Sequence, residues 1–201
     1  MQTKQMFSVI FKILLLFFVL TALFQEIFPS TGARPGALLY FTIQSNVLVA
    51  LYLIYTLFFT RKNKSTFLVG LILLAITMTG LAYNFLIYHI FTDWHSAAYS
   101  FSRTATHVIV PIGFLINWLL FEEHGNMKWR YSIYWLIYPC LYGLGVALIG
   151  IKTGISLYFF WNPSQGLIVM SKWFLLMTLA FLIIGLLFII IDHALKHKNF
   201  L

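Results

Sequence analysis

Thr42 and His107 are the two residues whose types and surroundings point most directly to chemistry. Thr42 lies in the stretch Phe41-Thr42-Ile43-Gln44-Ser45-Asn46, where Thr42, Ser45 and Asn46 stand at i, i+3 and i+4. On a helix that spacing puts all three on one face. His107 begins the stretch His107-Val108-Ile109-Val110-Pro111. Proline lacks an N–H, so the carbonyl four residues back loses its helical partner and the helix bends there. That carbonyl belongs to His107 itself. A third stretch offers Asn84, Tyr88 and His89. A threonine hydroxyl is a weak nucleophile and needs an adjacent base. A neutral imidazole can take its proton, and the positive end of a helix dipole near His107 favours that neutral form. The combination implies acyl transfer through Thr42, with Asn46, Asn84 or His89 donating to the developing oxyanion. A purely structural reading uses the same residues. In it Thr42 caps or back-bonds its own helix, and His107 satisfies a neighbour.

The acids do not complete a triad. Glu26, Asp93, Glu122, Glu123 and Asp192 all stand at or beyond the ends of apolar runs. Asp93 could orient a histidine, but a Thr–His dyad with amide helpers fits the residues better. His89, His95 and His107 with Asp93 do not show the ligand spacing of a zinc motif, and the dyad chemistry needs no cofactor. Cys140 is the single cysteine, which excludes an intrachain disulfide and a thiolate zinc cluster.

Positioning these residues falls to long apolar segments. Of 201 residues, 61% are hydrophobic and 9% charged, against roughly 25% charge in a soluble domain. Such a chain cannot cover a water-facing surface. Spanning helices need about 20 mostly apolar residues. Uncharged runs of that order cover 37–60, 66–91, 104–121, 131–151 and 173–191. A shorter core at 13–24 is flanked by Lys12, Gln25 and Glu26. Its length also suits a signal peptide, but no small-residue cleavage pattern follows Phe24, and Lys12 can snorkel. The expectation is an all-α polytopic bundle of six transmembrane helices, one domain over residues 1–201. The longest connection, 152–166, holds Tyr158, Phe159, Phe160 and Trp161. These aromatics suit the headgroup layer or a reclining lid.

The net charge of +8 does not imply nucleic acid, which needs a clustered basic face. Here the charges come one to three at a time between apolar runs. They orient the helices instead. With the N-terminus inside, nine Lys and Arg (4, 12, 61, 62, 64, 128, 130, 196 and 198) fall on the cytoplasmic side and four (34, 103, 152 and 172) outside. Both termini are therefore expected in the cytoplasm, most simply at a bacterial plasma membrane. Thr42 then lies about five residues into its span and His107 about three, at about 1.5 Å each. Both come to one layer near the outer surface, with His89 close to that level. An apolar slot below the dyad is expected from Val47, Leu48, Leu51, Ile112 and Leu115.

At these residues the chain resembles the androgen-induced membrane protein family, which includes the androgen-dependent TFPI-regulating protein and many bacterial relatives. The likeness lies in the six-helix layout and in the two stretches Phe41–Asn46 and His107–Pro111. Characterised animal members are membrane threonine hydrolases that cleave fatty acid esters of hydroxy fatty acids. The resemblance implies Thr42 as nucleophile, His107 as its base, and a membrane lipid or fatty-acyl ester as substrate. The competing expectation is a non-enzymatic carrier or lipid-binding protein. A carrier would show inverted repeats with broken helices in both halves, whereas Pro111 and Pro139 do not fall at matching places.

Overall fold

The computed structural model describes residues 2–30, 32–59, 65–87 and 100–196. Six helices are long and apolar enough to cross a membrane, and no strand occurs among the described residues. They are α1 (Gln2–Ile27), α2 (Phe41–Phe58), α3 (Thr66–Leu81), α4 (Phe101–Phe121), α5 (Tyr131–Thr153) and α6 (Leu167–Ala194). The protein is an all-α, multi-pass membrane protein. In hydrocarbon each backbone group must be satisfied within its own segment, which helices accomplish. Phe17, Phe24, Leu141 and Leu167 stay exposed on the helix surfaces, as lipid-facing side chains do.

The chain divides into two compact units, one through Glu123 and the other from His124. The first holds α1 to α4, and α1 packs on both α2 and α4 while α3 also packs on both. Its core is filled by Val19, Leu53, Leu73, Ile76, Phe114 and Trp118. Lys12 does not snorkel as expected. It is 5% exposed, and its ammonium lies 3.6 Å from Glu122 at the end of α4. A charge that deep inside the unit is tolerable only with a partner, and Glu122 supplies one.

The second unit holds α5, α6 and their flanking connections. The aromatic connection packs down and is no free lid. Phe160 and Trp161 are buried, with rings 5.8 Å from those of Trp173 and Phe174 respectively. A Cβ at Gly143 would come within 3.0 Å of the Trp161 ring, so glycine there lets the indole seat against α5. At the opposite end, the Met127 N–H donates to the Asp192 carboxylate at 2.8 Å, and His193 Nε2 donates to the Met127 carbonyl at 2.8 Å. Fully buried Asp192 also pairs with His124 at 3.4 Å. These contacts tie the entry of α5 to the end of α6.

Several helices outrun their apolar runs. α1 extends well before residue 13 and past Phe24. α6 starts at Leu167 and takes in Lys172. α4 begins at Phe101, where Ser100 Oγ accepts from the Arg103 N–H at 3.3 Å. A serine cap of this kind satisfies an otherwise orphaned donor, and charge counting alone cannot see it.

Candidate active site

Thr42 is the second residue of α2. A 3-10 turn at Pro35–Leu39 and an extended Tyr40 precede the helix. Proline at the start of that turn fixes φ and brings the chain into α2 abruptly, and the Ile43 and Gln44 N–H groups of the first turn donate to the Tyr40 carbonyl at 3.0 and 3.1 Å.

His107 lies in a π-helical segment of α4, Ala105–Ile109, with Pro111 just beyond it. A second π segment, Ala82–Ile87, continues α3 and carries Tyr83 and Asn84. Such single π turns are rare and concentrate at functional sites. Here each has a local cause. Pro111 cannot donate to the His107 carbonyl, and Asn84 Nδ2 donates to it instead, at 3.0 Å, while also donating to Gly80 O at 2.8 Å. A Cβ at Gly80 would lie 3.1 Å from the His107 carbonyl oxygen and 3.1 Å from Pro111 Cβ. Only the absence of a side chain at Gly80 lets α3 approach α4 this closely.

Thr42 Oγ1 stands 3.2 Å from His107 Nε2. The partners of the other ring nitrogen define the tautomer. Nδ1 lies 3.0 Å from the Arg103 carbonyl and 3.0 Å from Thr106 Oγ1. A carbonyl only accepts. The Thr106 hydroxyl already donates to Ser102 O at 2.8 Å, so toward the ring it too accepts. Nδ1 therefore carries the hydrogen, and the bare Nε2 lone pair accepts from the Thr42 hydroxyl. This is the proton arrangement a general base requires. A backbone carbonyl and a hydroxyl hold it where a triad would use a carboxylate. The Tyr83 ring covers one face of the imidazole, centroid to centroid 3.9 Å at 31°.

The helix dipole plays a smaller part than expected. α4 starts at Phe101, so His107 lies beyond the first turn, where the dipole effect has largely decayed. Hydrogen bonding at Nδ1 sets the tautomer.

Ser45 and Asn46 hold the backbone of Thr42. Ser45 Oγ and Asn46 Nδ2 donate to the Thr42 carbonyl at 3.0 and 2.8 Å. Ser45 also meets Thr79 Oγ1 of α3 at 2.8 Å, and Asn46 Nδ2 reaches the Thr106 carbonyl of α4 at 3.2 Å. Asn46 and Asn84 thus each stitch a neighbouring helix to the π segment that carries His107. Both amide hydrogens of each are committed to carbonyls, and an amide oxygen cannot stabilise an anion. The expectation that Asn46 or Asn84 donates to an oxyanion does not fit this geometry; both are positioning residues. His89, with His95 and Asp93, lies outside the described residues.

Tyr83 and Thr106 touch the imidazole directly, yet nothing in the sequence singles them out. Tyr83 is one aromatic among many, and Thr106 contacts the ring only because of its local backbone path. A cleft of about 370 Å³ ends on His107 and Asn84 and is walled by Thr77, Gly80, Ile112 and Leu115, among others. Ile112 and Leu115 line it as expected. Val47, Leu48 and Leu51 do not, because the cleft opens between α3 and α4 and α2 contributes no wall.

Comparison with known proteins is sparse. No family model and no solved structure matches the chain. A Mycoplasma pneumoniae protein described as "Uncharacterized protein MG452 homolog" is 31% identical over 126 residues, covering 57% of this chain and 49% of that protein. The chain thus spans about half the length of the relative it matches.

Proposed function

We propose that this protein is an intramembrane hydrolase of lipid or fatty-acyl esters that uses Thr42 as nucleophile and His107 as base. The observation that carries the reading is the Thr42 Oγ1 to His107 Nε2 distance of 3.2 Å, made to an imidazole whose Nδ1 hydrogen is already committed. As Oγ1 attacks the ester carbonyl, its proton passes to Nε2 and the C=O π pair moves onto the carbonyl oxygen. Collapse of the tetrahedral adduct expels the alkoxide, which takes the Nε2 proton and leaves as alcohol. Water then loses a proton to Nε2, attacks acyl-Thr42 and releases the acid, and Thr42 regains its hydrogen. During each step the imidazolium is held by the Arg103 carbonyl, the Thr106 oxygen and the face of Tyr83, an aromatic surface that attracts cations. The resemblance to androgen-induced membrane proteins supports an ester of a fatty acid as the substrate class.

The test is turnover by purified protein in nanodiscs offered a panel of acyl esters. Release of fatty acid is expected. No release from any of them would favour the carrier or lipid-binding reading.

The basic-residue bias supports an orientation with both termini in the cytoplasm, and the Mycoplasma relative supports a bacterial plasma membrane. A reporter inserted at Gly125 should then report cytoplasm and one at Ser164 the outside; the reverse pattern would invert the topology.

A further inference from the structure

We propose that the cleft between α3 and α4 is the acyl-chain site of this hydrolase, filled sideways from the bilayer by a single hydrocarbon chain whose ester end meets His107. The inference rests on the reading of Thr42 and His107 as nucleophile and base, and adds where the substrate comes from and what part of it is measured.

The cleft has a polar end, and its lining beyond that is apolar apart from the Thr77 hydroxyl. Its polar end is His107 with Asn84, and its far end is Thr77 with Leu115. Along the helices, His107 to Leu115 is eight residues, or about 12 Å at about 1.5 Å each. The cleft meets the dyad at His107, whose Nε2 lies 3.2 Å from Thr42 Oγ1, while Thr42 itself is not among the residues that line it. An ester with its carbonyl at the dyad must send a chain somewhere, and this cleft runs from that point along the spans toward their middle.

The side of the cleft is formed by residues that the protein leaves uncovered. Phe85 is 74% and Ile112 53% exposed; Ile112 stands near the middle of its span, the level of lipid tails, and Phe85 at the end of its own. A chain entering past them never leaves hydrocarbon. A chain delivered through water would. Each methylene exposed to water lowers the population of that state about fourfold, which makes the lateral route dominant for any long acyl chain. The remainder of the lipid stays in the bilayer, since a volume of about 370 Å³ is at the small end of ligand sites.

Gly80 lines the cleft where α3 comes closest to α4, with its missing side chain allowing that approach. Leu115 and Thr77 line the part of the cleft farthest from His107 along the helices.

The experiment compares a long-chain ester dissolved in nanodisc lipid with a short, water-soluble ester of the same leaving group. The readout is the ratio of their kcat/KM values. Leu115→Trp fills the far end and Ile112→Trp narrows the lateral side, so two independent variants guard against one that misfolds. Each should lower the long-to-short ratio at least about tenfold, the scale on which a hydrocarbon pocket discriminates by fit. Leu144→Trp, on the lipid-facing surface of α5 outside the cleft, should leave the ratio at the parent value. An unchanged ratio in both cleft variants, with turnover present, would overturn the cleft assignment and leave the dyad standing. Absence of turnover of both esters by the parent would overturn the hydrolase reading and this one with it.

Discussion

Thr42→Ala is expected to lower ester turnover at least about 10³-fold, the scale seen when the nucleophile of an acyl-transfer site is removed. His107→Ala should cost about as much, because the two act as one unit and their losses do not add. The double variant should therefore be no worse than either alone. Thr42→Ser keeps the hydroxyl and should retain measurable turnover, which separates loss of chemistry from loss of fold. Neither alanine variant should unfold the protein. Thr42 contributes one side-chain hydrogen bond, at 3.2 Å, and such bonds are worth about 1 kcal/mol. The positions around it are held by other groups, with Ser45 and Asn46 on the Thr42 carbonyl. Full turnover in a well-folded Thr42→Ala protein would contradict the mechanism.

The largest expected effect on stability lies elsewhere in the same unit. Lys12 and Glu122 are paired at 3.6 Å with side chains 6% and 4% exposed. Removing one partner strands the other charge away from water, which costs about 3–5 kcal/mol. Lys12→Met should therefore lower the thermal unfolding temperature sharply. Lys12→Met combined with Glu122→Leu should recover most of the loss, since apolar replacement of a whole buried pair is close to neutral. If Lys12→Met left the unfolding temperature unchanged, the pair would be a surface contact in energetic terms.

The helices were readable because hydrocarbon imposes a length and an absence of charge, and five long runs plus one short core obey that rule. Lys12 was misread for the same reason. Charge position predicts snorkelling when a lysine faces lipid, and only packing reveals that it faces Glu122. The Thr42–His107 pairing was legible in outline from depth, since both stand near the same end of their spans. The partners of the His107 ring were not. Tyr83 reaches it through a π turn of α3 that has no residue pattern of its own, and Thr106 through the π turn of α4, where Pro111 signals a break but not its form. Asn46 and Asn84 are amides within spans and need partners. Their role depended on where their N–H groups point, which spacing does not encode.

The central claim is that Thr42 Oγ1 forms a bond to an acyl carbon. It is tested most directly by treating the purified protein with an acylating hydrolase probe, digesting it and locating the adduct by mass spectrometry. One acyl group is expected, on the peptide that contains Thr42, absent from the Thr42→Ala protein and strongly reduced in His107→Ala. An adduct at another residue that persists in Thr42→Ala, in a protein that still turns over ester, would contradict it.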